Sequence, residues 1–172
     1  MRFILIMFIT VMSCNALASS PEQVVSQLWQ ALSHDKNEKS DITRLQKLFH
    51  SDATVFGVHL KEGKHNLMVK SGSDFIELLN KPSKSGFYEC EIVRKVERYD
   101  HFSQIYSVVE TRFNQEENTP EFTGVNSIQL VKTKGQWQII SLFYQVENPK
   151  QPISVDGGIS GRCILEGNAK RH

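Results

Sequence analysis

The chain has 172 residues, 40% of them hydrophobic and 23% charged, with 20 Lys and Arg against 19 Asp and Glu. That length and composition describe one globular domain able to bury a core of its own. The near balance of charge lacks the basic excess a nucleic-acid partner would require.

The first eighteen residues read as a secretory signal: Arg2, an apolar run at 3–12, and Ala16-Leu17-Ala18 as a small-residue cleavage site. The run is too short to span a membrane. The expected product is periplasmic or secreted and begins at Ser19. Val11-Met12-Ser13 before Cys14 leaves a second route open, a lipoprotein anchored at Cys14. Cleavage removes Arg2 and leaves 19 basic and 19 acidic residues, a formally neutral chain.

The mature chain opens on Ser19-Ser20-Pro21-Glu22, a Ser cap, a first-turn Pro and an early acid. Val24, Val25, Leu28, Trp29, Ala31 and Leu32 then recur at helical spacing, and the helix is expected to end near His34-Asp35. Asp41 caps a second, short helix with Ile42, Leu45, Leu48 and Phe49 on one face. A short strand is expected at 52–57, a polar loop at 59–66 and a small strand at 67–69. Ser71 to Asp74 caps a third helix carrying Phe75, Ile76, Leu78 and Leu79, which Pro82 ends.

From there the period changes. Residues 87–99 alternate apolar and charged, Asp100-His101 is a turn, and 103–113 returns as a second long strand. After a polar loop at 114–120, residues 124–147 read as two strands joined at Lys134-Gly135, where Gly accepts the positive φ of a tight turn. A hairpin of that length needs more sheet beside it and a cover on one face. The layout is therefore α+β: three N-terminal helices packed on one face of a strongly curved, mainly antiparallel sheet. The domain spans 19–148, followed by an irregular Gly- and Pro-containing tail at 149–172.

Three stretches carry a resemblance. They are Leu28-Trp29-Gln30-Ala31-Leu32 with Asp35, then Leu48-Phe49-His50-Ser51-Asp52-Ala53, then Gly135-Gln136-Trp137-Gln138-Ile139 with Ser141-Leu142 and Tyr144-Gln145. In this order they resemble the NTF2-like superfamily, especially its SnoaL-like and DUF4440-like bacterial members, over residues 21–147. The resemblance implies a cone: a bent sheet wrapped around helices, with a pocket at its open end. Relatives use that pocket for isomerase or dehydratase chemistry, for binding a small molecule, or only as a scaffold. It also implies a homodimer through the convex sheet face.

An enzyme of this kind needs an acid or base in an apolar pocket. The candidates are Glu110, on one strand face with Arg112, Tyr106 and Val108, and His50, after the second helix. The plainer reading of Glu110 is a cross-strand ion pair with Arg94 or Arg98, and of His50 a helix-end histidine. The Tyr with two Asp of the isomerases and the paired His of the dehydratases are not found. The expected pocket is lined by Trp29, Phe56, Tyr106, Asn126 and Tyr144, suited to a small hydrophobic ligand held by one or two hydrogen bonds. His59 and His65 have no standard metal spacing, and neither a metal nor a cofactor is expected. Cys90 and Cys163, an even pair in an oxidising compartment, are free to form a disulfide, though sequence alone does not establish the pairing. The reading that follows is a non-catalytic binding or interaction module; the alternative is an isomerase or lyase using Glu110 or His50.

Overall fold

The computed structural model describes residues 20–61 and 64–164, the side chains of 59–61, 64 and 65 excepted. The leader, Cys14 and the imidazoles of His59 and His65 lie outside the described residues. Three helices and six strands follow in the order α1 (Pro21–Leu32), α2 (Ile42–Leu48), β1 (Phe49–Lys61), β2 (Lys64–Ser71), α3 (Gly72–Leu78), β3 (Tyr88–Tyr99), β4 (Phe102–Arg112), β5 (Phe122–Thr133) and β6 (Gln136–Val146). The strands form one curved sheet in the order β2-β1-β6-β5-β4-β3. β1 runs parallel to β6, and every other neighbour is antiparallel.

Each helix begins at a side chain that accepts an otherwise unpaired N–H. Ser20 accepts from Gln23, Asp41 from Arg44 and Ser71 from Asp74. α1 stops at Ser33, whose extended backbone leaves the helix and whose hydroxyl donates to the Trp29 carbonyl at 2.8 Å. At the β5–β6 turn, Lys134 and Gly135 both have positive φ, at 50° and 81°, the pair a twisted two-residue hairpin requires.

The core fills the inner, concave face. Val24, Val25 and Leu28 of α1 and Leu45 and Leu48 of α2 meet Val55, Ile105, Val109, Ile128, Leu130, Ile139 and Leu142 of the sheet. Complete burial of each such side chain contributes about 1.5–3 kcal/mol. A second, smaller cluster sits on the outer face: Cys90, Ile92, Val93 and Val108, with Tyr106 and Ile153 against it.

Two stretches differ from expectation. In the stretch 59–66, expected as a loop, residues 59–61 and 64–66 are paired strand backbone, His59 pairing with Asn66 and the preceding Val58 with Leu67. Backbone pairing carries the strands through a polar sequence that no apolar alternation marks. In β3, register shifts between Glu91 and Val93. This bulge puts Glu91 and Arg94, three apart, on the same inner face, an arrangement unbroken alternation forbids.

Candidate functional site

Between α1 and the start of β3, at the β3 edge of the sheet, lies a groove of about 660 Å³. Trp29 and Gln30 form one wall and Glu89 and Glu91 another. Arg112, residues 115–118 and the segment carrying Gly161 and Cys163 complete it.

Local hydrogen bonding places these walls. His34 and Phe87 exchange both backbone N–H bonds, at 2.8 and 2.9 Å. The Glu89 N–H donates to the Ser33 hydroxyl at 3.0 Å, and the Tyr88 hydroxyl donates to Asp35 Oδ1 at 2.6 Å. The exit of α1 is thus stitched to the first residues of β3. The bond to Asp35 holds the Tyr88 phenol above its ordinary pKa.

Glu89 and Glu91 point the same way but live in opposite environments. Glu91 is buried and fully occupied. It accepts from Arg94 Nε at 3.0 Å, from Arg94 Nη2, and from the Ser107 hydroxyl at 2.6 Å. Arg94 also donates to the Glu22 carbonyl and the Ser26 hydroxyl, so the ion pair anchors α1 as well. Glu89 has no cation at ion-pair distance among the described residues. Its one side-chain partner among the described residues is the Thr111 hydroxyl, which donates at 3.1 Å. Burial therefore dominates and pushes its pKa up to about 8, against the smaller downward pull of Thr111. At neutral pH Glu89 is mostly a neutral carboxylic acid, able to donate a hydrogen bond into the groove.

Trp29 is only 6% exposed, and its indole N–H has no acceptor among the described residues. A buried donor left unpaired is uncommon and costly. It stands in the same groove as Glu89.

Cys90 and Cys163 also border this groove, but of the other expected pocket and catalytic residues, Phe56, Tyr106, Asn126, Tyr144, His50 and Glu110, none lines it. Asn126 and Tyr144 face each other on the inner side of β5 and β6, where Asn126 is buried and the Tyr144 ring lies against Gly57. Phe56 and Tyr106 lie on the outer face, Phe56 opposite Phe143 and Val69, Tyr106 against the smaller cluster. The five expected pocket residues thus divide between two sides of the sheet. His50 is the second residue of β1, where its Nδ1 accepts the Asp52 N–H at 3.2 Å.

Glu110 is buried on the outer face. Its partner is Arg112 of its own strand, at 2.9 Å, rather than Arg94 or Arg98. Burial works to raise its pKa, but bonds from the Ser160 hydroxyl and the Gly161 N–H, with Arg112, together bring it below the ordinary value. Cys90 and Cys163 form a disulfide with their Cα atoms 4.9 Å apart.

No family model and no curated protein sequence matches the chain. Solved structures do match. An NTF2-like protein of unknown function from Shewanella baltica shares 19% identity over 74% of this chain and 90% of that one, with a TM-score of 0.53. A protein with a cystatin-like fold from Nostoc punctiforme shares 16% identity over 76% and 90%, with a TM-score of 0.55. A candidate ketosteroid isomerase from Parabacteroides distasonis shares 12% over 76% and 90%, with a TM-score of 0.53. At these identities the likeness is one of fold. The chain has the NTF2-like fold: helices held in a curved, mostly antiparallel sheet.

Proposed function

We propose that this chain is an exported small-molecule-binding protein whose site is the groove between α1 and β3. The observation that carries this reading is the Glu89 carboxyl, part-buried with no cation at ion-pair distance among the described residues and facing a groove walled by Trp29. A neutral carboxylic acid and an apolar indole together suit a compact organic ligand that presents one carbonyl or similar acceptor oxygen. Export is supported by the leader sequence and by the disulfide, a bond that persists in oxidising compartments. We further propose a homodimer through the outer face of β2, β1 and β6. Leu67 and Val69 are 61% and 55% exposed there, beside Phe56 and Phe143.

A second reading has one observation in its favour. A carboxyl with its pKa near neutral is also a usable acid–base catalyst, so Glu89 is the residue on which an isomerase or lyase in this groove would depend. The experiment is a thermal-shift screen of carbonyl-bearing apolar metabolites against wild type, Glu89→Gln and Trp29→Phe. Hits that survive Glu89→Gln, which keeps a neutral hydrogen-bonding group, support binding alone. A hit that wild type converts and Glu89→Gln only binds supports the enzyme. Hits unaffected by both variants place the site elsewhere and overturn both readings.

A further inference from the structure

Residues 149–164 form a strap across the outer face of β3 and β4 that then walls the groove. Ile153 packs on the cluster of Cys90, Ile92, Val93 and Val108. Gly158 lies so close to the sheet that a Cβ there would meet Val93 Cγ2 at 2.7 Å and the Ile92 carbonyl at 2.9 Å. The Gly161 N–H donates to Glu110 Oε2 at 2.9 Å, and the Ile164 N–H donates to the Glu91 carbonyl at 2.7 Å, on the free edge of the sheet. Arg112 meanwhile donates to Glu110 and to the Glu117 carbonyl, so one ion pair holds both the strap and the loop beside the groove mouth.

The Ile153 N–H also donates to Glu147 Oε1 at 2.8 Å, and the Ser160 hydroxyl bonds to Glu110. Apart from Ile153 the strap buries little apolar surface on the sheet: Val155 and Ile159 are 42% and 55% exposed. Segments with so little apolar burial open locally at small cost unless a covalent bond holds them. The covalent bond is Cys90–Cys163, and its ends differ: Cys90 is 6% exposed, whereas Cys163 is at the surface.

We propose that the strap is a thiol-operated wall of the groove, which reduction of the Cys90–Cys163 disulfide releases. Release opens the groove beside Glu89 and Trp29 and uncovers Ile92, Val93 and Val108. Its consequence for ligand rests on the groove being the binding site; the release itself does not. The reductant is a dithiol. Its thiolate attacks Sγ of Cys163, the surface residue of the pair, and Cys90 leaves as a thiolate that takes up a proton. The second thiol of the reductant then displaces Cys163 from the mixed disulfide. Two electrons and two protons pass to the protein, and the reductant leaves as a disulfide.

The test is amide hydrogen exchange by mass spectrometry on the full chain, before and after dithiothreitol, with thiol content read from the same samples. Anilinonaphthalene sulfonate fluorescence follows the outer apolar cluster. Reduction is expected to speed exchange across 158–164 by about tenfold or more, leave β4, β5 and β6 unchanged, and raise dye fluorescence. The Cys90→Ser, Cys163→Ser double variant should behave as the reduced protein does without reductant. Unchanged exchange at 158–164 in protein with two free thiols overturns the proposal. So does faster exchange spread over the whole sheet, which makes the disulfide a brace of the domain rather than a latch. A ligand screen that fails on oxidised protein counts against the binding reading and leaves this measurement untouched.

Discussion

The backbone N–H of Glu89 donates to the hydroxyl of Ser33 at 3.0 Å, and that hydroxyl donates onward to the Trp29 carbonyl. One small side chain at the end of α1 therefore sets the spacing between the two walls of the groove. Ser33→Ala removes both bonds and leaves the Glu89 N–H to find another partner. A net loss of about 1–3 kcal/mol is expected, the range for an abandoned buried donor. Urea unfolding measures it, and ligand affinity should fall in parallel because Trp29 and Glu89 lose their common tether.

Stability should depend on pH through Glu89. Its folded pKa, about 8, is above its ordinary value of 4.5, so the folded state favours the proton. The stabilisation this gives is fully present below about pH 4.5 and is lost as pH rises through about 8. Glu89→Gln stays neutral throughout. Its melting temperature should gain on wild type as pH climbs across that window. Parallel melting curves from pH 4 to about 9 would contradict this.

The Glu91–Arg94 pair gives a larger effect. Both side chains are nearly inaccessible, at 1% and 5%. Arg94→Met leaves a buried carboxylate with only Ser107 beside it and frees the Glu22 carbonyl and Ser26. A loss of about 3–5 kcal/mol is expected by chemical denaturation. Glu91→Gln with Arg94→Met should recover a good part of it, because no charge is then stranded.

How much of this was legible in the sequence follows from the periods. The apolar positions of α1, β4, β5 and β6 repeat cleanly, so the α+β layout and the Lys134-Gly135 turn could be read directly. Glu89 could not. In an alternating strand, Glu89 and Glu91 look like the solvated face, and only the three-residue spacing from Glu91 to Arg94 hints at the bulge. What makes Glu89 unusual is that no cation among the described residues reaches it, a property of the assembled fold. Glu110 shows the converse. Its face was read correctly, sharing it with Tyr106 and Val108, but which side of the sheet that face occupied depended on where the tail lay. The polar strand ends at 59–61 and 64–66 carry no apolar alternation, so only pairing of their backbone reveals them.

Association should run through the outer face. Phe143→Glu puts a charge opposite Phe56 on the uncovered part of the sheet. Wild type is expected to sediment as a dimer at micromolar concentration and this variant as a monomer with unchanged circular dichroism. A wild-type monomer, or a dimer that tolerates the charge, would remove the outer face from the account.

The account turns on whether Glu89 keeps its proton at neutral pH. Carbon-detected NMR of the Glu89 carboxyl, followed from pH 4 to about 10 and assigned by its loss in Glu89→Gln, answers this in one titration. A midpoint near 8 is expected, moving when a ligand enters the groove. A midpoint near 4.5 would mean an ordinary, solvated carboxylate and would contradict the site as described.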